Sequence, residues 1–149
     1  MGVMADVGRG PLGLDTAIFI YFIEEHPKFL RLIAPVFAAV AGAKLEAVTS
    51  AVTLLETLVV PYRAGDAQLA ERYEIVLTRS RGVRLVDLDR PLLRSAALLR
   101  AATSVKTPDA LQLAAALRAR CTAYLTNDRE LPPIPGLRVL QLRDYVRSG

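Results

Sequence analysis

Four carboxylates stand singly where apolar segments of the chain begin, end or are interrupted: Asp15, Glu56, Asp109 and Asp128. An unpaired carboxylate is expensive to bury, so an apolar fold keeps such groups inside only with compensation. Two like charges ~4 Å apart repel by about 4 kcal/mol at an effective dielectric of ~20. Four of them gathered in one place would need a divalent cation, or protonation, to coexist. Hard oxygen donors suit Mg²⁺ or Mn²⁺, whereas one histidine (His26) and one cysteine (Cys121) make no zinc-type cluster. A metal held this way could activate water for in-line attack on a phosphodiester.

Each acid also has a local reading. Asp15 ends Gly13-Leu14-Asp15-Thr16, where it serves equally well as a helix N-cap. Asp109 follows Thr107-Pro108, with Thr as N-cap and Pro at the first helical position, and an acid in a first turn favours the helix dipole. Asp128 closes Thr126-Asn127-Asp128, three small polar residues that form a turn as readily as a site. Glu56 is harder to dismiss. It interrupts a segment, 51–60, that is apolar nearly all the way round, a pattern that predicts a largely buried helix. Its carboxyl must then pair with an arginine, shift its pKa or bind a cation.

The elements that must position these groups follow from periodicity and punctuation. Short apolar runs at 12–15, 45–49, 83–88, 123–125 and 137–140 read as strands. Helical patterns lie between them. They run over 16–25, 28–43, from a Ser50 cap to Pro61, from Gly65-Asp66 to Gly82, from an Asp89 cap to 102, over 107–120, and briefly from Leu142. Residues 1–11 carry three glycines and a proline without periodicity and read as a flexible leader to a single domain over 12–149. The alternation predicts an α/β fold with a doubly wound, mainly parallel central sheet flanked by helices. Ligands of such sheets sit beyond the carboxyl ends of the strands.

Bulk properties narrow the function classes. A chain of 149 residues with 52% hydrophobic residues can bury a substantial core. The longest apolar candidate, 30–43, is broken by Arg31, Pro35 and Gly42, so no membrane span is expected. A lone cysteine fits a reducing compartment, and a cytoplasmic location is the expectation. The net charge of +4 is compatible with a polyanionic substrate without demanding one. Arginines crowd 72–100 and 118–147, where they form a solvated basic face or would hold a nucleic-acid backbone in a salt-sensitive way. Tyr21, Tyr62 and Tyr124 could stack on bases, but in such apolar contexts they read as core.

Taken in order, Leu14-Asp15-Thr16, Glu56 in a mid-chain apolar helix, Asp109-Ala110-Leu111 opening a late helix, and Thr126-Asn127-Asp128 after the next strand resemble the PIN-domain family. In size and layout the chain is similar to the VapC toxins of bacterial toxin–antitoxin pairs, over about residues 12–142. The resemblance implies a parallel sheet that gathers the four acids around Mg²⁺ or Mn²⁺. It also implies cleavage of single-stranded or structured RNA, neutralisation by a cognate antitoxin, and a homodimer. On that basis Asp15, Asp109 and Asp128 are expected as metal ligands, and Glu56 as ligand or as the group that helps deprotonate water. Thr16, Lys106, Thr126 and Asn127 are expected to support the ligands or contact phosphate. Two departures leave the carboxylates in place. Ala17 stands where the family often has Asn or Ser, and Arg129-Glu130-Leu131 replaces an acidic-aromatic ending.

Rival readings fit less well. A phosphatase with an aspartyl nucleophile on its first strand wants a second Asp two residues on, where this chain has Ala17. Gly8-Arg9-Gly10-Pro11-Leu12-Gly13 matches a dinucleotide fingerprint literally, but it precedes the first strand instead of linking a strand to a helix. A non-catalytic nucleic-acid-binding or regulatory module remains as the alternative from another class, and it would show no metal dependence.

Overall fold

Three inner strands buried on both faces and two partly exposed edge strands form one parallel sheet. The computed structural model describes residues 2–148. Its strands are β1 (Leu12–Leu14), β2 (Ala47–Ser50), β3 (Val83–Val86), β4 (Ala123–Thr126) and β5 (Arg138–Gln141), in the order β3-β2-β1-β4-β5. Every neighbouring pair is parallel. The carboxyl ends Leu14, Ser50, Val86, Thr126 and Gln141 therefore share one edge of the sheet.

Among the described residues seven α-helices cover the sheet: α1 (Val3–Val7), α2 (Thr16–Ile23), α3 (Leu30–Ala41), α4 (Val52–Ala64), α5 (Ala67–Arg79), α6 (Arg90–Ala102) and α7 (Thr107–Arg118). A 3₁₀ helix, Leu142–Ser148, follows β5. One core cluster joins α1, α2 and α3 to Leu12, Leu14, Ala123 and Leu125. The other packs α6 and α7 on Val48 and Tyr124. Successive strand residues alternate faces, so Gly13 points opposite to Leu12 and Leu14. There it lies against the Tyr124 ring, where a Cβ on Gly13 would come within 2.7 Å of Cδ1. The glycine run of the dinucleotide fingerprint is thus spread over the end of α1 and into a strand.

Local punctuation behaves as capping chemistry requires. Asp66 and Asp89 accept hydrogen bonds from Leu69 N (3.1 Å) and Leu92 N (3.0 Å), which start α5 and α6. His26 Nδ1 accepts from Lys28 N and Phe29 N and organises the turn around Pro27.

Three expectations need correction. Residues 1–11 are not a loose leader throughout. Val3–Val7 is helical, and Val3 and Val7 are buried against the α3 side of the core because they are spaced one turn apart on an apolar face. Second, α4 does not stop at Pro61 but runs to Ala64 and ends at left-handed Gly65. Proline so near the end forfeits one intrahelical bond and lies in the last turn, where the interruption is tolerated. Third, Lys106 is the N-cap of α7, and Thr107 is its first helical residue.

Candidate active site

Asp15, Glu56, Asp109 and Asp128 approach the sheet's carboxyl edge from four different elements. Asp15 follows β1 and caps α2, its Oδ1 accepting from Thr16 N at 2.7 Å. Its Oδ2 accepts from the buried Thr126 hydroxyl at 2.6 Å, so both oxygens have a fixed bearing. The same Thr126 oxygen accepts from Asp128 N at 3.0 Å and sets the turn after β4. Asp128 Oδ1 in turn accepts from Glu130 N at 2.9 Å. Asp109 sits in the first turn of α7, and Glu56 is in the second turn of α4.

The four acids act on one another. Burial raises the Asp15 carboxyl above its ordinary value; the bonds from Thr126 and Thr16 pull it back, and Glu56 and Asp128 add to the rise. Asp109 is pushed up to about 6, first by burial and then by Asp15, Asp128 and Glu56, with Lys106 opposing. The fully buried Tyr124 hydroxyl, beneath the cluster, is raised by burial and then by all four. Among the described residues the ion pairs are Arg118–Asp89 (2.7 Å) and Arg129–Asp144 (2.5 Å), and none of the four acids takes part. The cleft thus concentrates negative charge that only Lys106, on its rim, offsets among the described residues and that no ion pair neutralises, the condition that a bound cation relieves.

The donors fit a hard divalent ion. All are carboxylate oxygens, whereas His26 Nδ1 is occupied in its turn and Cys121 lies at the amino end of β4, away from the cleft. Among the described residues, no three or more acidic, His or Cys side chains are closed into a ready ligand cage.

Glu56 departs from its expected surroundings. Its helix is not apolar-buried all round: Thr53, Thr57 and Pro61 face the core, while Leu55 (63% exposed), Val60 (66%) and Tyr62 (63%) face outward. Glu56 is half-buried, and Oε1 accepts a 2.7 Å bond from the Thr16 hydroxyl instead of meeting an arginine. Tyr62 is therefore not core, whereas Tyr124 is and Tyr21 packs on Phe29.

Of the supporting residues, Thr16 and Thr126 each hold an acid. Lys106 is exposed next to Asp109. Asn127 ties elements together, donating from Nδ2 to the Tyr21 hydroxyl (3.3 Å) and accepting from Arg143 N at Oδ1 (2.9 Å). Sequence reasoning missed Gln112, Thr49 and Thr53, which are buried under Thr16 and bonded to one another. The signal was a glutamine one turn after Asp109 inside an otherwise apolar helix face.

The family model for the PIN domain matches residues 13–137. No curated protein matches the chain. Among solved structures the fold is similar to the crystal structure of VapBC2 from Rickettsia felis bound to a DNA fragment from their promoter. That match has a TM-score of 0.68 and 18% identity, over 87% of this chain and 97% of that one. A toxin–antitoxin complex from Klebsiella pneumoniae is similar at a TM-score of 0.62 and 20% identity, over 85% and 93%. DNA-bound VapBC from Salmonella typhimurium is similar at 0.58 and 23%, over 88% and 97%. At these identities the likeness is one of fold.

Proposed function

The chain belongs to the PIN-domain family, and from that premise we propose that it is a Mg²⁺- or Mn²⁺-dependent endoribonuclease acting as the toxin of a toxin–antitoxin pair. The observation that carries the reading is the meeting of four unpaired carboxylates at the sheet's carboxyl edge, with Asp15 and Asp109 both raised by burial and by their neighbours.

In this reading Asp15, Asp109 and Asp128 hold the cation directly or through its waters. A divalent cation held there would supply Lewis acidity, for activating water toward attack on phosphorus and for stabilising the leaving oxygen. Thr126 and the Thr16 amide keep the Asp15 oxygens aimed. Glu56 either joins the ligands or takes the attacking water's proton, its bearing set by Thr16. Lys106, on the rim beside Asp109, offers a cation to the RNA phosphate. No covalent nucleophile is required.

Two partners go with the reading. An antitoxin is supported by the fold's likeness to toxin–antitoxin complexes. A homodimer is supported by the outward apolar face of α4 at Leu55, Val60 and Tyr62. The test is cleavage of RNA by purified protein with Mg²⁺ or Mn²⁺, with chelator, and with Asp15→Asn. Metal-dependent cleavage lost in a folded Asp15→Asn variant is expected. Cleavage unchanged in that variant would sink the site, and metal-independent binding without cleavage would favour a regulatory module.

A further inference from the structure

Beneath the acids lies a buried polar network of which the nuclease reading uses Thr16 alone. Thr49, Ser50, Thr53 and Gln112 are each at most 2% exposed, and Thr16 is 8% exposed. Gln112 bonds on both sides of its amide there. Its Oε1 accepts from Ser50 N (3.0 Å), and its Nε2 donates to Thr16 Oγ1 (3.0 Å) and Thr53 Oγ1 (2.6 Å). The Thr49 hydroxyl shares its one proton between Leu14 O (3.0 Å) and Gln112 Oε1 (3.3 Å).

The orientation of that amide follows from the backbone. Ser50 N–H can only donate, so the Gln112 oxygen must face β2 and the amino group must face Thr16 and Thr53. Thr16 Oγ1 is thereby made an acceptor from Gln112. Its own proton then goes to Glu56 Oε1, 2.7 Å away, in preference to the longer 3.3 Å approach to Thr53 Oγ1. Were the amide reversed, Thr16 would face an acceptor and could spend its proton there, leaving Glu56 without its bond. Thr53 is gripped by the same amino group and by Thr49 at 2.6 Å, and it lies one turn before Glu56 on α4.

Resting on the nuclease reading above, we propose that Gln112 is a positioning residue for Glu56, acting through the direction of the Thr16 hydroxyl. The end of β2 orients the amide, the amide orients the hydroxyl, and the hydroxyl holds the acid. Gln112 touches neither substrate nor metal. It sits one turn after Asp109, so a single face of α7 supplies one acid and sets the bearing of another.

The test compares Gln112→Met, Thr16→Val, their double variant and Thr16→Ser, each checked for folding by circular dichroism and melting. Two readouts are used: kcat and KM for RNA cleavage, and the side-chain ¹³C carboxyl resonance of Glu56 in metal-free protein. Gln112→Met and Thr16→Val should each lower kcat about tenfold, the loss of one hydrogen bond to a carboxylate, with KM unchanged. The double variant should be no worse than Thr16→Val, and Thr16→Ser, which keeps the hydroxyl, should lose less than Thr16→Val. The Glu56 resonance should move in Gln112→Met and Thr16→Val and hold in Thr16→Ser. A double variant whose losses multiply, or a Glu56 resonance unmoved by Gln112→Met, overturns the role. If methionine is not accommodated, Gln112→Glu keeps the shape but offers Thr16 no N–H, and the same resonance must move. A wild type that does not cleave RNA defeats the nuclease reading, while the resonance still decides the role of Gln112.

Discussion

Replacing Asp109 by Asn should flatten the pH dependence of stability in metal-free protein. The Asp109 carboxyl goes from 3.8 to about 6, by burial first and then by Asp15, Asp128 and Glu56. An acid raised on folding binds its proton more tightly in the native state than in the unfolded one. Below the unfolded value there is no penalty; stability then falls as pH rises through the window up to about 6, and the full penalty stands above it. At ~1.4 kcal/mol per pH unit, that gap corresponds to about 3 kcal/mol for a fully shielded group. Asp109 is only half-buried and solvent screens it, so ~1 kcal/mol is the expected size. The assay is urea unfolding of wild type and Asp109→Asn in chelator at about pH 4 and about pH 7.5, chosen to bracket the window. Between those conditions wild type should lose ~1 kcal/mol relative to the variant, or ~3 °C in melting temperature. Parallel pH profiles would refute the burial and the neighbouring charges that raise this carboxyl.

The same repulsion predicts that Mg²⁺ or Mn²⁺ raises the melting temperature of wild type, and raises that of an Asp15/Asp109 double asparagine variant less; equal shifts in thermal scans would place the cation elsewhere. Thr126→Val removes the 2.6 Å bond to Asp15 and leaves a buried acceptor short of a donor. It should cost ~1–2 kcal/mol in urea unfolding, with cleavage reduced in the folded variant. Gly13→Ala would put a Cβ 2.7 Å from Tyr124 Cδ1 and 3.1 Å from Ala116 Cβ, between strand and α7. Overpacking of that kind should cost ~1–3 kcal/mol, read in the same assay. Leu55→Glu with Tyr62→Glu should turn a dimer into a folded monomer by light scattering, and an unchanged mass would clear α4 of that role.

Much of this protein was written locally. Alternating apolar runs and capped helical patterns are local physics, so the α/β class and the parallel sheet followed from spacing alone. The order of the four acids along the chain was equally legible, because three mark the end of a strand or the start of a helix and Glu56 interrupts an apolar helical run. Asp66 and Asp89 cap helices for reasons contained within four residues. Where the outcome depends on what packs against an element, the sequence said less. Two valines in residues 1–11 carry too little periodicity to announce a helix, and only the α3 face they bury against makes one worthwhile. The apolar stretch around Glu56 looked buried because composition does not say which faces find a partner. The fold covers one side of α4 and leaves Leu55, Val60 and Tyr62 outside. Gln112 bonds to residues 59 to 96 positions away along the chain, and no window of sequence contains that arrangement. The chain by itself determined which groups could do the chemistry. Tertiary structure decided which of them share a field, which hydroxyl holds which carboxylate and which way each proton points, because those interactions act across space between elements remote in sequence.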